Sequence, residues 1–429
     1  MMNTRINNGY IITADEKDTC MEGCVIVENG IITYAGQQAL APDVAVSRVI
    51  DAKGGIIAPG FVNTHTHVAM NLLRGYADDM ALMDWLQNSI WPAEAKLDEE
   101  AVYWGTMLAM AEMAAGGVTC FSDMYNFTPQ IAKAANDAGM RGLIATAVLD
   151  IDGNGDKRLN NAAELFDAVK DYARIEAAIG PHAEYTVSPD MFKKVLSFAQ
   201  KHNCRIHVHV SETQGEHNDC ISRHGKTPIG LMHSLGLLDL PLMAAHCVWL
   251  SDEDMDLMAQ KGAHVMSCPG SNLKLGSGIA RVAKMLQTGV NVSCATDGAA
   301  SNNNLSMMEE MTLVSLLQKG INLDPTLIPA KTAVRMATIN GAKALGLGHI
   351  TGSIETGKQA DITVINTSGI RYCPKTNLAH HLVYSGSDAD VALTMVGGQI
   401  LYENGKITFG DIDEIKAKAA EHAQKLFVN

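Results

Sequence analysis

The chain has 429 residues, 47% of them hydrophobic and 19% charged, an ordinary globular composition that excludes a disordered chain. Asp and Glu outnumber Lys and Arg by 47 to 33, a formal charge of −14, so nucleic acid would meet net repulsion, and no compact Lys/Arg run opposes it. The amino terminus lacks the apolar core of a signal peptide. The most apolar long stretch, Leu240 to Leu250, contains Pro241 and His246 and falls short of the ~20 residues that a bilayer requires, so no membrane association is expected. Nine cysteines, an odd number without C-x-x-C pairs, fit reduced thiols in a cytoplasm.

The first fifty residues read as β structure. Asn29-Gly30 separates two apolar, β-branched runs between Cys24 and Tyr34, a strong hairpin signal. The rhythm then changes. Short apolar runs at Ile56–Asn63, Val118–Met124, Gly142–Leu149, Glu176–Pro181, Arg205–Val210, Leu242–Cys247, His264–Cys268 and Val290–Ala295 alternate with helical patterns such as Glu99–Ala115, Pro189–His202 and Asp252–Lys261. Strands alternating with helices imply parallel βαβ units, and eight of them over this length fit a closed (β/α)8 barrel of the TIM type. An open doubly wound sheet is the competing fold, but no G-x-G-x-x-G loop follows an early strand. Near the carboxy terminus β structure returns in Asp361–Ile365 and Val391–Tyr402, with Asn404-Gly405 as another turn. Residues 1–57 and 355–429 are therefore expected to meet as one small β-sandwich, with the barrel over 58–354.

Residues able to carry chemistry gather at the carboxy-terminal ends of the expected barrel strands, where barrel active sites form. His65-Thr66-His67 closes the first, His182 the fourth, His207 and His209 the fifth, His246 the sixth and Asp297 the eighth. Residues i and i+2 of a strand share a face, so each His-x-His pair can aim two imidazoles at one ion. One such pair is weak evidence, since strand-end histidines are often hydrogen-bonded core residues. The repeated placement at one rim is strong evidence.

At these positions the chain resembles the amidohydrolase superfamily, in particular its methylthioadenosine/S-adenosylhomocysteine deaminase branch. Pro59-Gly60-Phe61-Val62-Asn63-Thr64-His65-Thr66-His67 carries the resemblance, with Trp91-Pro92-Ala93-Glu94, Gly180-Pro181-His182, His209 to Thr213, Ala245-His246-Cys247, Ser271 to Gly276 and Thr296 to Asn303 following in the family's order. The resemblance implies His65, His67, His209 and Asp297 as metal ligands. That donor set suits Zn2+ and would also accept Fe2+ or Mn2+. Binuclear relatives bridge two metals with a modified Lys on the fourth strand. Glu176 to Pro181 holds none, so one divalent ion per chain is expected. His207, deeper in its strand, reads as a packed core histidine.

The implied reaction is hydrolytic deamination of a small-molecule nucleoside of the adenosine type. Asp297 accepts the proton of the attacking water, Glu212 protonates the ring nitrogen beside the attacked carbon, and His246 stabilises the developing charge. Glu94 matches a residue that binds ribose hydroxyls, and His182 one beside the purine and sugar. Trp85 and Trp91 could wall an apolar slot. Two departures stand out. Ser267-Cys268-Pro269 replaces a His-bearing string at the seventh strand. Of two Arg that hold the amino-acid tail in some S-adenosylhomocysteine-active relatives, Arg158 is present and Thr146 occupies the other place. A small or apolar 5′ group is therefore expected to serve at least as well as that tail. His182-Ala183-Glu184 mimics half of the cytidine-deaminase motif, but no Pro-Cys-x-x-Cys follows. The alternatives are a deaminase of another amino-heterocycle, such as guanine, a pterin or a triazine, and a catalytically silent barrel scaffold. A homo-oligomer rests on family analogy alone.

Overall fold

The computed structural model describes residues 3–427 and distributes their strands between two sheets. Strands β1 (Thr4–Ile12), β2 (Cys20–Glu28), β3 (Ile31–Gly36), β4 (Arg48–Asp51) and β5 (Ile56–Pro59) begin a nine-stranded sheet. Strands β6 (Phe61–Thr66), β7 (Val118–Tyr125), β8 (Arg141–Val148), β9 (Ile175–Pro181), β10 (Ile206–Val210), β11 (Leu242–His246), β12 (His264–Ser267) and β13 (Asn291–Cys294) pair in chain order as an eight-stranded parallel sheet. Strands β14 (Ile362–Ile365), β15 (Val391–Val396), β16 (Gln399–Glu403) and β17 (Lys406–Ile407) return to the first sheet through the antiparallel pairing of β14 with β5. This is the expected (β/α)8 barrel with a separate sheet built from both ends of the chain. Among the described residues, no helix is long and apolar enough to cross a membrane.

Local chemistry accounts for the element boundaries. Asn29 and Gly30 have φ of +52° and +83°, the conformation of a two-residue hairpin turn. The helix Glu99–Ala115 starts where the Asp98 side chain accepts from the Ala101 amide at 2.8 Å. Pro189–His202 begins after the Ser188 cap, and Asp252–Lys261 after a Ser251/Asp254 capping box. Strands β7 to β13 fall within one residue of the sequence expectation at each end. The single strand expected over Ile56–Asn63 is instead two. At Gly60 the chain leaves the terminal sheet for the barrel, and a Cβ there would lie 2.1 Å from Thr119 Cγ2. Within the carboxy-terminal segment, expected to be sandwich, the helix Ile412–Phe427 packs on barrel helix Glu99–Ala115, burying Ile415, Ala419 and Leu426. A spacing of apolar residues that suits a helix made this a barrel element rather than a strand.

The barrel buries two layers. Val62, Met124, Ala145, Ala178, Met243, Ala245, Met266 and Ala295 fill its interior, while alternate strand residues such as Val208, Leu242, Ala244 and Val292 pack against the helices. The first and last strands are joined mainly by side chains. Asn63 Nδ2 donates to Thr296 Oγ1 (2.7 Å), the Thr296 amide donates to Asn63 Oδ1 (3.0 Å), and Thr64 Oγ1 lies 2.9 Å from Ser293 Oγ. One backbone bond, from Asp297 N to His65 O at 3.0 Å, completes the seam.

A buried ion pair ties the barrel to the terminal sheet. Arg141 Nε and Nη2 donate to the two Asp361 oxygens at 2.8 and 3.0 Å, and Asp361 Oδ1 also accepts from the Gly397 amide. Side-chain exposure is 4% for Arg141 and 0% for Asp361, so removing one partner leaves a charge stranded in the interior. Arg141→Ala should lower unfolding stability by about 3–5 kcal/mol in denaturant titrations. A loss under about 1 kcal/mol would show that water reaches Asp361.

Candidate active site

The backbone at the carboxy-terminal rim departs from regular strand geometry where the site is built. In β10, Ile206, Val208 and Val210 face the helices, which leaves His207 and His209 facing inward. Val62 lies in the barrel interior, so strict alternation along β6 would turn His65 and His67 outward. The register with β7 slips between Asn63 and Thr66, three residues opposite two, and this bulge shifts the phase. Alternation along β11 would likewise send His246 toward the helices. His246 has φ of +67° and Cys247 of +53°, which turns the ring into the barrel mouth. Ser211 (+47°) and Asp297 (+64°) share this left-handed conformation. Such residues cost roughly 1–3 kcal/mol each and cluster where function requires them.

Donor atoms converge at this rim. His67 Nε2 lies 3.2 Å and His65 Nε2 3.4 Å from Asp297 Oδ1, and His209 Nε2 lies 3.4 Å from His67 Nε2. The donor atoms of His65, His67 and Asp297 lie within 4.8 Å of one another, as do those of His65, His209 and His246. The second nitrogen of each ring is already held. His65 Nδ1 is 2.7 Å from His207 Nε2, His67 Nδ1 is 2.6 Å from the Met124 carbonyl, and His209 Nδ1 is 2.7 Å from the His182 carbonyl. Bonds from Nδ1 to carbonyl oxygens fix the tautomer of His67 and His209 and leave Nε2 as a lone-pair donor. His65 Nε2 is fully buried without a hydrogen-bond partner, an arrangement that a cation would satisfy. Asp297 Oδ2 accepts from Ser271 Oγ (2.6 Å) and Ser301 Oγ (2.9 Å).

Electrostatics suit the same use. Burial pushes His65 down to about 4 and His209 well below its ordinary value, so both stay neutral, as metal ligands must. Burial alone would raise Asp297, but the neighbouring His65 and His67 imidazoles bring it well below the carboxylate range. These residues could together hold a divalent cation.

A cavity of about 520 Å3 opens over the donors, walled by His182, Glu94, Trp85, Trp91, Leu82, Leu86, Tyr125 and Leu149 among others. Glu212 enters it from the turn after β10. The Glu216 carboxylate holds that turn by accepting the Ser211 and Glu212 amides, each at 2.8 Å. Glu212 Oε1 accepts from Ser277 Oγ at 3.1 Å, and Oε2 lies 3.8 Å from His246 Nε2. Burial raises the pKa of Glu212 and outweighs the opposing pull of His246. His246 Nδ1 is fixed 2.9 Å from Asn272 Oδ1. Burial disfavours its charge, yet the Glu212 and Asp297 carboxylates raise its pKa on balance. Glu94 Oε1 accepts from Tyr125 OH at 2.5 Å.

The family model described as the amidohydrolase family matches residues 56–401. The chain belongs to the amidohydrolase family. It is 41% identical to a 5-methylthioadenosine/S-adenosylhomocysteine deaminase of Thermoanaerobacter pseudethanolicus, over 99% of both chains. It is 40% identical to a 5′-deoxyadenosine deaminase of Methanosarcina mazei, over 98% of both. Among solved structures, an adenosine deaminase from Xanthomonas campestris with bound zinc superposes with a TM-score of 0.96 at 34% identity, covering 99% of this chain and 98% of that one.

In this amidohydrolase, Glu94, Arg158, His182, Glu212, His246, His67, His209 and Asp297 all line one cavity, and His65 is buried behind it against Asp297. Arg158 stands at the cavity wall with its guanidinium engaged by Asp152. Three positions differ from what sequence alone suggests. His207 is buried as expected, but it also touches His65 and, through Nδ1, lies 3.2 Å from Ser122 Oγ. Thr146 is buried with its hydroxyl 2.7 Å from Thr128 Oγ1, and Ser267 is buried in β12. Neither lines the cavity, so these two departures from relatives lie outside it. The supports of the site, namely Ser271, Asn272, Ser277, Ser301, Glu216 and Tyr125, carried no role in the sequence reading. Ser271, Asn272 and Ser301 do fall inside the quoted motifs, which is the one signal that pointed to them.

Purified amidohydrolase should contain near one equivalent of divalent metal, and His65→Ala or His67→Ala should lose it. Retention of metal by either variant would break the ligand assignment. His207→Ala should weaken metal affinity about 10–100-fold, because it releases the outer nitrogen of His65. An unchanged affinity would make His207 a packing residue only.

Proposed function

We propose that this amidohydrolase removes the amino group of adenosine-type nucleosides by hydrolysis, giving the inosine analogue and ammonia. The observation that carries the reading is one cavity that combines an imidazole–carboxylate donor set, the buried acid Glu212 and Glu94. Full-length similarity to deaminases of methylthioadenosine, S-adenosylhomocysteine and 5′-deoxyadenosine supports the nucleoside class. The zinc-containing adenosine deaminase structure, together with three imidazoles and one carboxylate, supports Zn2+ as the ion.

A divalent ion held by His65, His67, His209 and Asp297 supplies Lewis-acid chemistry, lowering the pKa of water from about 16 toward 7. The remaining work belongs to side chains. Asp297 takes a proton from the attacking water. Glu212, whose pKa burial raises, donates a proton to the ring nitrogen beside the attacked carbon, so that charge does not build on the ring. His246, its Nδ1 fixed by Asn272, presents Nε2 to the oxygen that gains negative charge. The carbon–nitrogen bond breaks as the amino group receives the proton first taken up by Asp297; ammonia leaves, and the new hydroxyl returns its proton to Glu212 as the carbonyl forms. Glu94 accepts hydrogen bonds from ribose hydroxyls with the carboxylate oxygen that Tyr125 leaves free, and His182 flanks the base.

Ammonia release should be readily detected with adenosine, 5′-deoxyadenosine and methylthioadenosine and be much slower with guanine or an aminotriazine. A preference for the latter pair would overturn the nucleoside reading. Glu212→Gln should lower kcat about 10²–10⁴-fold with metal content unchanged. Turnover within threefold of the parent would make Glu212 structural. His246→Asn should lower kcat more than it raises KM, because its partner charge grows in the transition state. A rise in KM at constant kcat would assign it to substrate binding.

A further inference from the structure

The wall of the cavity on the side of Leu149 carries two opposite charges in direct contact. Arg158, on the helix Gly155–Val169, gives Nη1 to Asp152 Oδ1 at 2.6 Å and Nη2 to Asp152 Oδ2 at 2.8 Å. Nη1 also donates to the Leu149 carbonyl at 2.9 Å. Both arms of the guanidinium fork, the geometry that grips a carboxylate, are therefore occupied. Asp152 in turn accepts from the Asn154 amide and from Asn154 Nδ2, each at 3.1 Å, which fixes its side chain in the turn before the helix. Arg158 beside Asp152 holds that carboxyl well below the usual carboxylate range, so it stays charged at any pH used for assay. Asp152 and Arg158 both line the cavity, with Ile151, Leu149, Leu82 and Trp85 as their apolar company.

We infer that Asp152 is a specificity-determining residue: by occupying the guanidinium fork of Arg158 it makes this end of the cavity selective for nucleosides whose 5′ group carries no negative charge. The inference rests on the proposed deamination of adenosine-type nucleosides and names the substrate class within it. A carboxylate on a 5′ tail would meet either a fork already filled or the Asp152 charge. To reach the fork it must displace one carboxylate with another, so it gains little over water. An uncharged 5′ group instead meets Leu149, Ile151, Leu82 and Trp85. Thr146 is buried against Thr128 and offers a 5′ tail no charge. No other Lys or Arg lines the cavity among the described residues.

The test uses metal-loaded enzyme and three thioether nucleosides whose 5′ groups are neutral, cationic and anionic: methylthioadenosine, 5′-aminopropylthioadenosine and 5′-carboxyethylthioadenosine. The quantity read is the ratio of kcat/KM for the anionic substrate to that for methylthioadenosine, so a general loss of activity in a variant cancels. The parent enzyme should favour methylthioadenosine over the anion by at least about tenfold. Asp152→Asn, and independently Asp152→Ser, should raise the ratio about ten- to a hundredfold, the usual worth of a hydrogen bond to a charged group. The same variants should lower relative use of the cationic substrate. Asp152→Asn combined with Arg158→Gln should lose the gain. An unchanged ratio in both single variants, or a gain that persists in the double variant, would overturn the inference. Parent enzyme with no activity on methylthioadenosine would instead overturn the nucleoside reading beneath it.

Discussion

The site depends on how the barrel closes. β6 and β13 meet mainly through Asn63, Thr64, Ser293 and Thr296, and the Asp297 amide donates to the His65 carbonyl. This seam joins residues more than two hundred positions apart and sets the Asp297 carboxylate against both imidazoles of the first strand. A regular ladder of backbone bonds repeats along the strand and can slip in register. Paired side chains fix the relative height of the two strand ends, which is the coordinate that a ligand set requires.

Around that seam, each donor is oriented by a partner behind it. His207, the Met124 carbonyl and the His182 carbonyl hold the three rings, while Ser271 and Ser301 hold Asp297. The proposed acid, Glu212, is treated in the same way. Glu216 spends its whole carboxylate on two backbone amides of the turn that carries Glu212, and burial raises it to about 7. Four of the sixteen non-glycine residues with left-handed backbone among the described residues, Ser211, His246, Cys247 and Asp297, sit at this rim. A stable barrel thus supports a strained edge, and the strain aims side chains that regular strands would have misdirected.

Much of this was legible in the sequence because it follows from local patterns. Short apolar runs placed seven barrel strands to within a residue, and helical patterns placed three helices that the structure caps at Asp98, Ser188 and Ser251. The spacing of His65 and His67 showed a shared face but not which face, since a bulge opposite β7 decides that. The division of Ile56–Asn63 at Gly60 was hidden because both halves are apolar, and only the close approach of Thr119 reveals the crossing. The Asp152–Arg158 pair was invisible for a different reason. An Arg in the right place reads as available, and whether its fork is free depends on a neighbour's side chain.

The central claim is that one metal ion, held by the imidazoles of His65, His67 and His209 with Asp297, makes a nucleoside deaminase of this barrel. The most direct measurement is ammonia release from 5′-deoxyadenosine by chelator-stripped enzyme titrated with Zn2+. Activity should rise linearly from near zero and break at one equivalent per chain. Full activity without metal, or a break at two equivalents, would contradict the account.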